Sequence, residues 1–197
     1  MNYRKILAII NMYRVIPFYC LCMSCKFKDK VEKDLKRWKM KHTNLRECSD
    51  LNSFSWLMMN TKEFRNVMFN RLHRNVIRYV IGRILFKPLE SLYINMPPEN
   101  IGGGFYLQHG FSSVIAANRI GENCSINQQV TIGYNGNFSP VIENNVTIAA
   151  GAIVVGNIHI ESNAIIGAGS VVVHDVHENE IVAGVPAKVI KKMHCDF

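Results

Sequence analysis

Between Ile120 and Val172 an aliphatic side chain returns at every sixth position. The series is Ile120, Ile126 and Ile132, then, after four extra residues, Ile142, Ile148, Val154, Ile160, Ile166 and Val172. Six is the spacing of one face of a hexapeptide-repeat parallel β-helix. Four residues after each aliphatic stands a second small or branched side chain: Cys124, Val130, Val146, Ala152, Ile158, Ala164, Ser170 and Val176. A helix of 3.6-residue period would not keep these in register, so both positions face one narrow core. The register extends backwards through Val114 and, with one residue inserted, to Leu107 and Ile101, and the insertion falls in the segment that holds His109.

Stacked short strands pair with the coils above and below at about 4.8 Å, so equivalent aliphatics form continuous columns. Two bulky residues per hexad would not fit, which accounts for the alternation of Ile or Val with Ala, Ser, Cys or Val. Gly121, Asn127, Gly133, Asn145, Gly167 and Gly169 fall at the corners. With three hexads per turn, residues 101–177 predict about four turns, roughly 19 Å tall. So short a stack leaves flat sides that an oligomer would cover.

The chain ahead of the repeats reads differently. Asn60 followed by Glu63 has the form of a capping box, and Phe64, Val67, Met68, Leu72, Val76, Tyr79, Val80 and Ile84 recur at threes and fours. This predicts one helix that Pro88 ends. A second, charged helix is predicted over roughly Lys28 to Glu47. Pro97, Pro98 and the glycines 102–104 mark the change to coils. The fold class is therefore mainly β, with a helical region at 1–90, a β-helix at 91–190 and a tail at 191–197.

Charge follows the same division. Residues 1–90 hold 19 Lys and Arg against 7 Asp and Glu, and residues 91–197 hold 4 against 8, which together make the net charge of +8. A basic N-terminal face can meet an anionic membrane, and peripheral contact there is an expectation. Nucleic acid is not expected, because the aromatics sit at helical core spacing and no recognised motif accompanies them. The apolar run from Ile6 to Met23 is broken by Arg14 and Pro17 and does not predict a spanning helix. The six cysteines have no framework spacing, and Cys20, Cys22 and Cys25 lack a second ligand pair for zinc. A reducing cytoplasm is the expected location, and no metal is expected.

The repeats, the ending Ala183-Gly184-Val185-Pro186-Ala187-Lys188 and the segment Leu107-Gln108-His109-Gly110 resemble the hexapeptide-repeat acyltransferases, and most closely their serine acetyltransferase branch, over roughly residues 91–192. The resemblance implies a left-handed parallel β-helix, a homotrimer or a dimer of trimers, and acetyl-CoA bound along the groove between subunits. It makes His109 the general base that takes the acceptor hydroxyl proton, a task suited to imidazole near neutrality. It places Gly133 and Tyr134 near the thioester, Ala150 and Ala168 along the cofactor groove, and Lys188, with Lys191 and Lys192, at the phosphates. The loop Tyr134 to Ser139 would reach over a neighbouring subunit's site. His159, His174, His177 and His194 are read as surface residues.

The sequence departs from that branch where it holds its acceptor. Gln108 stands in place of an aspartate, Phe138 and Ser139 in place of an Arg-His pair, and Ile94 in place of the aspartate that orients the histidine. A site without the arginine has no evident partner for an amino-acid carboxylate. The expected acceptor is therefore a sugar hydroxyl, as in surface-polysaccharide assembly, with Gln108, Phe138 and Ser139 lining its site. Serine O-acetyl transfer and a non-catalytic scaffold are the alternatives. His109 would then be oriented by a backbone carbonyl or by Asn95. A carbonic anhydrase is not expected, because His109 has no second histidine within the same or the next turn.

Overall fold

The computed structural model describes residues 11–193. Five helices come first: α1 (Met12–Met23), α2 (Lys28–Lys41), α3 (Asp50–Asn60), α4 (Lys62–Leu72) and α5 (Val76–Leu85). Fourteen short strands follow among the described residues and wind into a parallel β-helix of left hand. One sheet stacks β1 (Leu92–Ile94), β3 (Ser113–Ile115), β6 (Thr131–Gly133), β9 (Ile153–Val155) and β12 (Val171–Val172). A second stacks β4 (Arg119–Ile120), β7 (Val141–Ile142) and β10 (His159–Ile160). The third runs through β2 (Tyr106–Leu107), β5 (Ser125–Ile126), β8 (Thr147–Ile148), β11 (Ile165–Ile166) and β13 (Glu180–Ala183), and closes on the antiparallel β14 (Lys188–Lys192).

Both columns expected from the six-residue spacing point inward. Ile120 through Val172 are 0–2% exposed, and Ala152, Ala164 and Ser170 are fully buried beside them. The stack has five coils, one more than the spacing predicts, because Leu92–Ile94 pairs with Ser113–Ile115 as a first layer. The register before Ile120 also needs correction. Ile115, not Val114, lies against Ile132, while Val114 faces Thr131 and points outward. Two residues are therefore inserted between Leu107 and Ile115, and one is missing between Ile115 and Ile120. Lys191 and Lys192, expected in a tail, pair in β14 opposite Ile181 and Glu180.

The predicted helix from Asn60 to Pro88 is two helices. Asn75 caps the second, its side chain accepting from the amide of Arg78 at 3.1 Å, so the chain turns at residues 73–75. Asn60 is not a cap: it ends α3 and its side-chain amide donates to the carbonyl of Trp56. As a result Val76, Val80 and Ile84, which belong to the predicted apolar stripe, face solvent. α1 and α3 supply core that the periodicity did not single out. Phe18 packs on Phe54, Phe69 and Phe86 with ring centroids 5.4–6.2 Å apart.

The helices are keyed to the first coil by buried polar contacts. The Arg71 guanidinium meets Asp34 at 2.9 Å and donates to the carbonyls of Ile101 and Gly102 at 2.9 and 2.6 Å. Asp34 also accepts from the Phe105 amide at 2.9 Å, and the Trp38 indole donates to the Phe105 carbonyl at 2.8 Å. Such a pair is tolerable in a core because each remaining donor finds an oxygen.

Candidate active site

His109 sits on the corner that leads from β2 into β3. In later coils the matching corner carries one left-handed residue, Gln129, Gly151 or Gly169, each three positions before the inward aliphatic of the next strand. Ser112 fills that place ahead of Ile115, with φ of 52°. His109 adds a second left-handed residue, at φ 59°, within the two-residue insertion. A non-glycine residue in this region costs roughly 1 kcal/mol or more, so a corner that holds two is a feature the rest of the coil must impose. The Gln108 amide still bonds the Ile126 carbonyl at 2.9 Å, after which the chain bulges outward and leaves Gln108 and His109 exposed. Gly110 lies beneath them, and a Cβ there would come within 3.1 Å of Leu92 and 3.2 Å of Glu63. Absence of a side chain at Gly110 lets the bulge rest on β1 and α4.

Among the described residues nothing bonds the His109 imidazole. Asn95 is not its partner: the Asn95 amide donates to the Ile115 carbonyl, and its side chain is exposed beside a separate cavity. Half-buried Ile94 offers no polar atom in its side chain. The orienting group expected from the sequence is thus absent from the described part of a single chain.

The four-residue interruption after Ile132 is a compact turn. The Asn135 amide donates to the Phe138 carbonyl at 2.9 Å, and Gly136 takes a φ of 62° at the tip. Tyr134 and Phe138 stand 57% and 59% exposed on it, and Ser139 is half-buried. A Cβ on Gly133 would meet nothing within 4 Å, so the chain's own packing does not require glycine there. No charged side chain occurs from Gly133 to Pro140, and the His109 corner carries none besides the histidine.

Ala150 and Ala168 lie on the same corner column as His109. Gly151 donates to the Gln128 carbonyl and Gly169 to the Ala150 carbonyl, which stacks Gln128, Ala150 and Ala168 on successive coils. Gly167 continues the column to Ala183, whose Cβ would be 3.0 Å from one on Gly167. Lys188 pairs with Ala183 and is exposed, which sets this residue at the upper end of the column. Lys192 instead meets Glu180 at 3.3 Å, and Lys191 lies across from Ile181.

These residues form two groups rather than one. His109, Gln108, Ala150, Ala168 and Lys188 follow the corner where strands of the five-stranded sheet begin. Gly133, Tyr134, Phe138 and Ser139 follow the corner where those strands end. The 530 Å³ cavity between α4, α5 and β1 contains neither group. His159 and His177 are exposed and pair with Glu143 and Glu161 at 3.0 and 3.2 Å; His174 is exposed, and His194 lies outside the described residues. Among the described residues no three His, Cys, Asp or Glu are grouped as a metal site.

Comparison with known proteins agrees with this architecture. The pattern of the bacterial transferase hexapeptide (six repeats) matches residues 139–174. The serine acetyltransferase of Buchnera aphidicola is 38% identical over 127 residues, which cover 60% of this chain and 49% of that protein. The serine acetyltransferase of Staphylococcus xylosus is 43% identical over 123 residues, covering 58% and 56%. The chain spans about half the length of the curated relatives it matches. Among solved structures, serine acetyltransferase from Brucella abortus superposes with a TM-score of 0.65 at 27% identity, over 86% of this chain and 71% of that one. The Neisseria gonorrhoeae enzyme in complex with serine gives 0.63 at 27% identity, over 97% and 84%.

Proposed function

We propose, from the premise that this chain belongs to the hexapeptide-repeat transferase family, that it is an acetyl-CoA-dependent O-acetyltransferase working as a homotrimer. The observation that carries the reading is His109: an exposed imidazole on a corner two residues longer than its equivalents, with its ring nitrogens free of any bond within the described chain. In the reaction an acceptor hydroxyl donates its proton to His109 as the oxygen attacks the thioester carbonyl. The tetrahedral adduct collapses, the carbon–sulfur bond breaks, and the imidazolium returns the proton to the departing CoA thiolate. The acetyl ester and free CoA are the products, and His109 ends neutral.

Acetyl-CoA would lie along the Ala150–Ala168 column, where small side chains leave the backbone open, with Lys188 at its phosphate end. A trimer is supported by the division of the site. A three-sided coil sets one corner of each copy beside a face of the next, so the loop Tyr134 to Ser139 of a neighbouring copy can close over His109. The same neighbour can supply the group that orients the imidazole. The cytoplasm, where acetyl-CoA is made, is the proposed location.

For the acceptor, the relatives' names favour serine, the alternative reading, over the sugar first expected. One observation keeps a sugar as a second reading: Gln108, Phe138 and Ser139 are uncharged, and neither the segment 107–113 around His109 nor the loop 133–140 holds a Lys or Arg for a carboxylate. Acetyl-CoA turnover against serine and a panel of sugars separates the two. Turnover with serine well above every sugar establishes serine transfer, and the reverse order establishes a glycan acceptor. No turnover and no thermal shift with CoA would leave the scaffold reading.

A further inference from the structure

Two neighbouring helices turn apolar stripes to solvent. On α5, Val76, Ile77, Val80, Ile81 and Ile84 occupy adjoining positions of one face, and Val76, Ile77 and Ile84 are 71%, 73% and 78% exposed. β-Branched residues are mediocre helix formers, and of this helix only Gly82 is buried, so neither propensity nor the chain's own core explains them. On α1, Tyr13, Ile16, Pro17 and Cys20 recur at threes and fours and are exposed as well. The helices pack on each other: Phe18 lies against Gly82, Arg14 bonds the Leu85 carbonyl, and Arg78 bonds the Leu21 carbonyl at 2.9 Å. Their outward stripes therefore lie side by side as one apolar face.

The charge carried by the two segments that form that face has a single sign. Residues 1–28 and 64–89, which contain both helices, hold no Asp or Glu; the first acids beyond them are Asp29, Glu63 and Glu90. Lys26, Arg83 and Lys87 are exposed on these segments. Among the described residues Arg83 has no carboxylate partner and instead lies over the Tyr79 and Phe69 rings, at 5.8 and 5.9 Å, where the apolar stripe meets the 530 Å³ cavity. A second copy docking through a two-fold axis would set this cationic rim against its own like. An apolar face whose own segments carry only cations complements an anionic bilayer surface, and the acids that reach α1, Asp50 and Glu32, act on Tyr19. Its aliphatic side chains can enter the acyl boundary while Arg and Lys stay with the phosphates. No described helix is long and apolar enough to cross a membrane, so the helices would lie in the plane of the surface.

We infer that the joint face of α1 and α5 docks this protein on an anionic membrane surface. Flotation of the full chain with phosphatidylcholine vesicles, with and without about a fifth phosphatidylglycerol, tests it. The expected result is binding to the anionic vesicles, at least about tenfold weaker on neutral ones and weakened by salt. Ile77→Glu combined with Ile84→Glu should lower binding by about tenfold or more without changing the size of the assembly. The uncharged pair Ile77→Ser and Ile84→Ser should act in the same direction, which guards against a folding defect introduced by the acids. Arg83→Gln with Lys87→Gln should remove most of the preference for anionic vesicles. Absence of binding to anionic vesicles, or variants that float like wild type, would overturn the inference. So would dissociation of the assembly by the Ile77 and Ile84 changes, which would make the face a contact between copies. None of these readouts depends on acetyl transfer.

Discussion

His109 is held out on a corner whose backbone is set by the coil, so changing its side chain should leave the coil intact. We expect His109→Asn to lower single-turnover acetyl transfer by a factor of about 10² to 10⁴ while CoA affinity and the size of the assembly stay close to wild type. A fall of less than about tenfold would remove the histidine from the role of base. Arg71 is the contrasting case, a charge that serves the fold. Burial pushes the Asp34 carboxyl above its ordinary value, and the Arg71 guanidinium opposes that rise, with the amides of Phe105 and Gly104 helping. Arg71→Met leaves burial nearly unopposed and should cost about 3–5 kcal/mol in urea unfolding at neutral pH. A carboxyl whose folded pKa is raised favours folding below its unfolded pKa and loses that contribution as pH rises. The deficit of the variant should therefore shrink as pH falls toward about 4. Replacing Asp34 by Leu in the same chain should recover part of the loss, since no lone charge is then buried.

At the level of elements, the coil tolerates insertions at corners and resists changes within its columns. Deleting Asn135 to Phe138 restores the six-residue spacing between Ile132 and Ile142, and β7 keeps β4 and β10 as partners. The shortened protein should melt close to wild type and yet lose most acetyl transfer, measured by thermal unfolding and by CoA release. Unchanged turnover would show the loop to be an idle insertion. In the column itself, Ala164 is fully buried and is stacked on Val146 by the pairing of β11 with β8. Ala164→Leu should cost about 1–3 kcal/mol by overpacking a layer that has no room for a second bulky side chain.

For the molecule as a whole, the candidate residues fall in two groups at opposite edges of one sheet, and assembly is what would join them into the proposed site. Light scattering at micromolar concentration should return a trimer or a multiple of it. A monomer that nevertheless turns over acetyl-CoA would show that a neighbour's loop is not required. The helical region is tied to the first coil through Trp38, Arg71 and Asp34. The apolar face of α1 and α5 thus belongs to a helical layer bonded to the first coil, which leads into the His109 corner.

The six-residue period by itself determined the parallel coil, both buried columns and the corner insertions as places of interest. It could do so because each aliphatic is stacked on its equivalents, and a one-hexad rule is repeated until no other fold satisfies it. Tertiary structure decided the rest. Val114 and Ile115 are equivalent as aliphatics, and only pairing with β6 selects Ile115 for the core. The stripe from Phe64 to Ile84 has one helical period, yet Asn75 divides it, and packing of Phe18 on Gly82 turns the second half outward. The partner of His109 was illegible for the same reason. Corner geometry, helix facing and the chemistry between copies depend on contacts between residues far apart in the chain, and local spacing carries no record of them.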